Sequence, residues 1–187
     1  DHILFYIIII MGNCIARKVD AIKYKYTPDE IKDIQTLNQY YTGENMDAYI
    51  CSVYDGDTCT AIIQMENIPI KISVRMNGYD CPEMKPSKNK KDRDNEIKFA
   101  KMGKEKLIYL VKDKRVKMNF GGLDKYGRLL GTIFVNNLNV NDYMLKCGYG
   151  YSYSGNTKAD LEYFDDFYIM NGKKIVIKDD HMIQITV

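Results

Sequence analysis

The strongest constraint on the fold is the order of β-rich runs and helical patterns between residues 46 and 150. Three β-rich runs follow one another closely, and Asp55-Gly56-Asp57, typical of a hairpin turn, separates the first two. A helical pattern comes next, and two further β-rich runs and a short helix complete the order. The predicted strands are Ala48–Tyr54, Thr58–Met65, Ile68–Asn77, Arg115–Phe120 and Leu129–Val135, and the predicted helices are Asn95–Lys112 and Asn139–Lys146.

Five strands with one helix between the third and the fourth are the order of the OB-fold barrel. We therefore predict a mainly β, α+β fold for a domain at residues 46–170, after an N-terminal segment at 1–45. A C-terminal tail at 171–187 completes the chain of 187 residues. A further helix is expected over Lys158–Met170 and two short strands over Lys174–Val187. The fold alone does not determine function.

Charge is distributed unevenly along the chain. Fifteen basic and six acidic residues lie between Lys85 and Arg128, a local balance of +9 within a total of +2, so the remainder is at −7. The small total excludes a polybasic protein that binds nucleic acid by bulk charge. The basic middle indicates a local site for anions.

Cysteine and histidine usage excludes several kinds of site. The five cysteines show no CxxC pairing, and the two histidines, His2 and His181, stand near the chain ends. A zinc site and a Ser-His-Asp triad are therefore not expected, and any metal should be hard and oxygen-ligated. Reduced thiols are the default interpretation. A disulfide between Cys51 and Cys59 is the alternative in an oxidising compartment.

The N-terminal segment leaves two localisations open. The apolar run up to Met11 is too short to span a membrane. If translation begins at Met11, Gly12 is an acceptor for myristate and Cys14 for palmitate, and the protein is cytoplasmic or held at a membrane surface. The alternative is the end of an export signal and a secreted protein. A short helix is predicted from Pro28 to about Tyr41.

Three clusters of polar residues are each typical of turns, and together they describe a phosphodiesterase site. Asp57 and Asp80 offer hard oxygen ligands for Ca²⁺ or Mg²⁺. Glu83, three residues beyond Asp80, can orient or deprotonate water. Arg75 and Arg128 supply bidentate donors for phosphate. The clusters are Asp55-Gly56-Asp57-Thr58, the stretch from Arg75 to Glu83, and Asp124-Lys125-Tyr126-Gly127-Arg128.

In this order the clusters resemble the staphylococcal nuclease (thermonuclease) family, over about residues 46–155. The D-G-D-T turn, the R-x-x-G-x-D-x-P-E stretch and the D-K-Y-G-R hairpin are the signatures of that family. The resemblance implies a nuclease that uses one Ca²⁺ ion. It also implies that single- or double-stranded DNA and RNA are cut to leave 3′-phosphates. We expect the protein to be a monomer.

The resemblance also assigns roles to individual positions. The basic segment from Met84 to Asp94 is expected to border the site and to attract phosphate. The acidic residues predicted on the helix at Lys158–Met170 depart from the family pattern, which favours a basic helix there. The implied metal ligands are Asp57, Asp80 and the main-chain carbonyl of Cys81, the catalytic residues are Arg75, Glu83 and Arg128, and the substrate-binding residues are Lys125, Tyr126, Tyr151 and Tyr153.

A second hypothesis is a catalytically silent OB-fold that only binds nucleic acid or protein. Such a barrel would be free to lose Glu83 or one of the two arginines. All members of the set are present, which favours the enzyme.

Overall fold

The computed structural model describes residues 41–65, 68–155 and 159–178, and the backbone of 181–185. The chain divides into two compact units, Asp1–Thr42 and Gly43–Val187, and all the elements below lie in the second. Two helices lie among the described residues, α1 (Arg93–Val111) and α2 (Val140–Lys146). The strands are β1 (Asn45–Val53), β2 (Thr58–Met65), β3 (Ile68–Met76), β4 (Tyr79–Asp80), β5 (Arg115–Leu123), β6 (Leu129–Val135), β7 (Leu138–Asn139), β8 (Tyr151–Ser152), β9 (Leu161–Tyr163), β10 (Tyr168–Met170), β11 (Lys173–Lys178) and β12 (His181–Ile185).

The main sheet closes into a five-stranded barrel. Strands β1, β2 and β3 form an antiparallel meander, and β1 also pairs with β5, which pairs with β6. A parallel pairing of β3 with β6 closes the sheet, with Arg75 opposite Leu130. Strand β7 adds a short extension to β6. The predicted OB-fold barrel of α+β class is therefore confirmed.

The barrel forms because its strands alternate between buried and exposed residues. In β5, Val116, Met118 and Phe120 are buried, whereas the residues between them are not. This period of two places one apolar face of each strand towards the interior. Helix α1 buries Leu107 and Val111, and it contacts β1 and α2. The apolar side of the helix thus completes the packing of the barrel.

The region after β8 differs from the sequence prediction. Residues 159–178 and 181–185 form an antiparallel sheet of four strands, β9 to β12, which we call the C-terminal sheet. The predicted helix over Lys158–Met170 is wrong, since β9 and β10 lie there instead. The two predicted short strands in Lys174–Val187 correspond to β11 and β12. Because β10 pairs with β11, the boundary proposed at residue 171 divides one sheet.

Aromatic packing explains why this segment is not helical. Tyr163, Tyr168 and Ile175 are buried against Phe99 of α1, in a cluster of their own. Two adjacent aspartates form the turn between β9 and β10, where the Phe164 N–H donates to the Phe167 carbonyl at 2.9 Å. Aspartate favours turns and aromatic residues favour strands, so local propensity agrees with the hairpin.

The cysteines of the described region are all free thiols, Cys51, Cys59, Cys81 and Cys147. The register opposes Cys59 to Val53, and an irregularity between Ile50 and Ser52 displaces Cys51, whose thiol donates to the Thr60 carbonyl at 3.4 Å. Strand register therefore leaves Cys51 and Cys59 unlinked.

Several N-terminal predictions lie outside the described residues. These are acylation at Gly12 and Cys14 and the helix from Pro28, and they stay predictions together with the monomeric state and the localisation. Among the residues described, neither helix is both long enough and apolar enough to cross a membrane.

Candidate active site

Four strands and the turns beside them bring the three polar clusters to one cleft. Asp57 directly precedes β2, whose first residue, Thr58, is opposite Arg75 in β3. Asp80 ends β4, which pairs with β8, and Arg128 directly precedes β6. The cleft has a volume of about 360 Å³. Its lining includes Asp55, Asp57, Arg75, Asp80, Cys81, Pro82, Glu83, Lys125, Tyr126, Arg128 and Tyr153.

Arg75 lies between two buried carboxylates. Its Nη1 is 2.7 Å from Oδ2 of Asp57 and its Nη2 is 2.6 Å from Oδ1 of Asp80. All three residues are buried, with exposures of 6 to 9%. Burial raises the pKa of Asp57, although the charge of Arg75 opposes this shift. The pKa of Arg75 is raised as well, because the two carboxylates outweigh the effect of its burial.

This arrangement fits a hard divalent cation. A single guanidinium is within hydrogen-bonding distance of both carboxylates, so the carboxylates of Asp57 and Asp80 converge on one positive group. Two carboxylates and one guanidinium leave a net negative charge, which favours a further cation. No group of three or more His, Cys, Asp or Glu side chains arranged for a metal occurs in the described ranges. The remaining ligands would therefore be main-chain carbonyls and water, as is usual for Ca²⁺.

Cys81 contributes to the site through its backbone and its packing. Its N–H donates to Oδ2 of Asp57 at 2.9 Å, and its thiol donates to the Tyr149 carbonyl at 3.2 Å. A side chain at Gly56 would place a Cβ only 2.7 Å from the Cys81 sulfur, so this close approach requires glycine. Burial raises the pKa of the thiol, which keeps it protonated and unreactive.

Glu83 is exposed at the edge of the cleft, in a segment that contains neither helix nor strand. Its main-chain N–H donates to Oε1 of Glu96 in α1 at 3.0 Å. The side chain of Glu83 is thus exposed at the cleft, while its main-chain N–H is held by a buried carboxylate.

A tight turn orients Arg128 and its neighbours. Asp124 accepts hydrogen bonds from the N–H groups of Tyr126 and Arg128, and from Nε of Arg128 at 2.6 Å. Partial burial would raise the pKa of Asp124, but the bonds from Arg128 and Tyr126 lower it. The Tyr126 ring is 72% exposed, with Nζ of Lys125 at 5.0 Å and the Arg128 guanidinium at 5.5 Å from its centroid. One exposed ring and two cations thus form a surface suited to a nucleotide.

The two tyrosines of the predicted pair occupy different environments. Tyr153 lines the cleft and also a neighbouring pocket of about 460 Å³. Tyr151 lines neither of them; it is 4% exposed, and its O–H donates to Oδ2 of Asp80 at 3.0 Å. Tyr151 therefore contacts Asp80, a predicted metal ligand, and lines neither the cleft nor the neighbouring pocket. The neighbouring pocket shares Arg75, Lys125, Tyr126, Arg128 and Tyr153 with the cleft and also includes Met76, Asn77, Gly78, Tyr79, Asp124, Leu130, Ser154 and Gly155.

Sequence reasoning missed three residues that organise the site. Asp124 stood inside a recognised motif but received no role, and Glu96 stood in the helical pattern without a distinguishing signal. Lys90 was grouped with the basic segment that attracts phosphate, yet its Nζ lies 2.6 Å from Oε2 of Glu96. In the sequence, the pair is marked only by a lysine that stands six residues before a glutamate in the first turn of the predicted helix.

Comparison with known proteins agrees with this geometry. A family model described as "Staphylococcal nuclease homologue" matches residues 73–169, about half of the chain. The "Probable staphylococcal-like nuclease CAN2" of Oryza sativa subsp. japonica is 32% identical over 83 residues, which are 44% of this chain and 20% of the rice protein.

Two bacterial relatives match longer stretches. An uncharacterized protein of Bacillus anthracis is 31% identical over 132 residues, 65% of this chain and 56% of that protein. An "Uncharacterized endonuclease" of Haemophilus influenzae is 28% identical over 104 residues, 56% of this chain and 51% of its own length. The chain thus spans about a fifth of the rice protein and little more than half of these bacterial relatives.

Proposed function

Because this chain belongs to the family of staphylococcal nuclease homologues, we propose that it is a nuclease that hydrolyses phosphodiester bonds in DNA and RNA with one Ca²⁺ ion. The observation that supports the proposal is the single cleft lined by Asp57, Asp80, Arg75, Glu83 and Arg128. Of the three relatives described above, the rice protein is named a probable nuclease and the Haemophilus influenzae protein an endonuclease, which agrees with this activity.

In the proposed mechanism, the carboxylates of Asp57 and Asp80 and the main-chain carbonyl of Cys81 would hold the ion. When bound, the ion supplies positive charge that neutralises the phosphate. Tyr151 holds one oxygen of Asp80 and the Cys81 N–H holds one oxygen of Asp57, so both carboxylates are oriented in advance.

Glu83 accepts a proton from the attacking water. Its carboxylate is exposed at the cleft, and its main-chain N–H is held by Glu96. The guanidinium groups of Arg75 and Arg128 donate to the phosphate oxygens, where negative charge develops. The water oxygen forms a bond to phosphorus as the bond from phosphorus to the 5′-oxygen breaks. The 5′-oxygen takes up a proton from solvent, and a 3′-phosphate and a 5′-hydroxyl result.

The pocket of about 460 Å³ is proposed to receive the nucleoside next to the scissile phosphate. The ammonium of Lys125 would contact a terminal phosphate, and the exposed ring of Tyr126 beside it would contact a sugar or base. Tyr153, shared by the cleft and the pocket, would pack against the base.

Removal of calcium tests the proposal directly. We expect the protein to cleave single-stranded DNA and RNA with Ca²⁺ and to lose this activity in EGTA, because the net negative charge of the carboxylate site then stays uncompensated. Cleavage is measured by gel assay of labelled oligonucleotides, and digestion with a 3′-phosphatase identifies the product ends. Undiminished cleavage in EGTA contradicts the calcium site, and binding without any cleavage indicates the silent OB-fold.

Lys125→Ala is expected to act mainly on substrate affinity. Lys125 contributes one exposed cation at the cleft, so its loss should raise KM about fivefold, equivalent to about 1 kcal/mol, and leave kcat nearly unchanged. The matched control is Lys117→Ala in β5, because Lys117 is exposed and paired with Asp47 at 2.8 Å, away from the cleft. A large fall in kcat with an unchanged KM for Lys125→Ala would contradict this assignment.

A further inference from the structure

The backbone of Glu83 is held by a side chain from a helix. Glu83 lies in the irregular segment between β4 and α1, where no strand pairing fixes the chain. Oε1 of Glu96 accepts the Glu83 N–H at 3.0 Å. Glu96 is 5% exposed and belongs to the first turn of α1. The main-chain N–H of Glu96 donates to the Asp92 carbonyl. Helix α1 is thus hydrogen-bonded, through Glu96, to the backbone of the proposed base.

The buried carboxylate of Glu96 is itself held from the far side. Oε2 of Glu96 is 2.6 Å from Nζ of Lys90, whose ammonium also lies 4.7 Å from the centre of the Tyr163 ring. A buried carboxylate needs such a charged partner, and an ammonium over an aromatic face keeps a favourable contact when it leaves water. Lys90 is partly exposed, and its ammonium pairs with Glu96 and also lies 3.7 Å from Oδ1 of Asp92.

Tyr163 belongs to β9, so the contact between Lys90 and the Tyr163 ring joins the C-terminal sheet to the segment between β4 and α1. Its N–H donates to Oδ2 of Asp92 at 2.7 Å, directly before α1 begins. The sheet is fixed on α1 by the packing of Tyr163 and Tyr168 on Phe99. The O–H of Tyr168 also donates to the Gly148 carbonyl at 3.1 Å.

We propose that Glu96 is a positioning residue for Glu83 and that the C-terminal sheet, through Tyr163 and Lys90, holds Glu96 in place. The inference rests on the proposed role of Glu83 as general base. A base acts only within a narrow range of distances from the water, and a displacement of about 1 Å can lower the rate about 10²-fold. The sheet, predicted from sequence as a helix and a separate tail, thereby becomes part of the catalytic machinery.

The test compares Glu96→Ala and Glu96→Gln with and without Glu83→Gln, using kcat on single-stranded DNA with saturating Ca²⁺. Glu96→Ala removes the acceptor of the Glu83 N–H and should lower kcat about 10- to 100-fold with KM unchanged. Glu96→Gln keeps one acceptor oxygen where the carboxylate offers two, one to the Glu83 N–H and one to Lys90, so its kcat should lie between those of the wild type and Glu96→Ala. In the Glu83→Gln background, Glu96→Ala should have little further effect, because it acts through the group already removed.

Two further variants keep the test decisive. Glu105→Ala removes an exposed glutamate from the same helix and should leave kcat unchanged in both backgrounds. Lys90→Met keeps the Glu96 side chain but removes the cation that holds it, so it should lower kcat only when Glu83 is present. This variant serves as the test if Glu96→Ala does not fold. Urea denaturation gives the folded fraction for each variant.

Equal losses of kcat with and without Glu83 would overturn the inference, since a general structural role lowers activity in both backgrounds. An unchanged kcat for Glu96→Ala would overturn it as well. Full activity of Glu83→Gln alone would instead contradict the proposed function, so the two failures are distinguishable.

Discussion

Glu83→Gln is expected to lower kcat on single-stranded DNA by a factor of about 10² or more and to change KM little. The amide keeps the size of the side chain and its place at the cleft but cannot accept a proton from water. Binding groups such as Lys125 and Tyr126 are untouched, so affinity for the substrate should persist. Steady-state kinetics with saturating Ca²⁺ measure kcat and KM, and fluorescence anisotropy with a labelled oligonucleotide measures binding.

The matched control is Glu105→Gln, the same change at an exposed position of α1. It should leave kcat, KM and binding at wild-type values. Wild-type turnover in Glu83→Gln would refute the assignment of the base. If Arg128→Ala also kept full turnover, the chain would be interpreted as a binding module, since two groups of the proposed mechanism would then be dispensable.

Arg75→Met should produce the largest loss of stability, about 3 to 5 kcal/mol in the free energy of unfolding. Without the guanidinium, the carboxylates of Asp57 and Asp80 are left buried and close to each other, with no positive charge from Arg75 between them. Urea denaturation in EGTA measures the loss. Added Ca²⁺ should recover part of it, because a divalent cation bound to the folded state neutralises the same two carboxylates.

Arg128→Met is the matched control for stability. The Arg128 side chain is 31% exposed, and its partner Asp124 keeps the main-chain N–H groups of Tyr126 and Arg128 as donors. This variant should lose only about 1 kcal/mol, as expected for a partly exposed ion pair. Equal losses of unfolding free energy for the two variants would mean that uncompensated charge on Asp57 and Asp80 is not what destabilises Arg75→Met.

Local patterns were sufficient to predict the barrel. Strands with a period of two bury one face whatever their neighbours are, and a turn such as Asp55-Gly56-Asp57 leaves few choices of pairing. The prediction of a helix over Lys158–Met170 was wrong because local pattern did not decide the structure of that segment. Its spacing was ambiguous, and burial of Tyr163 and Tyr168 on Phe99 decided in favour of strands.

The sequence alone determined the chemical groups of the site, because the turns beside Asp57, Asp80 and Arg128 are encoded in short motifs. The family model begins at residue 73 and leaves Asp57 outside, yet the pairing of β2 with β3 brings Asp57 to within 2.7 Å of Arg75. Register between β2 and β3 fixes this distance, and register follows from hydrophobic alternation.

Only the tertiary structure decided how those groups are held. Tyr151 and Asp80 are 71 residues apart, and whether the ring faces the substrate pocket or Asp80 depends on its rotamer and on the pairing of β4 with β8. Likewise, no local pattern relates Tyr163 to Glu83; the connection through Lys90 and Glu96 exists because the C-terminal sheet packs on α1. Contacts between residues distant in sequence depend on packing, which one-dimensional spacing does not specify.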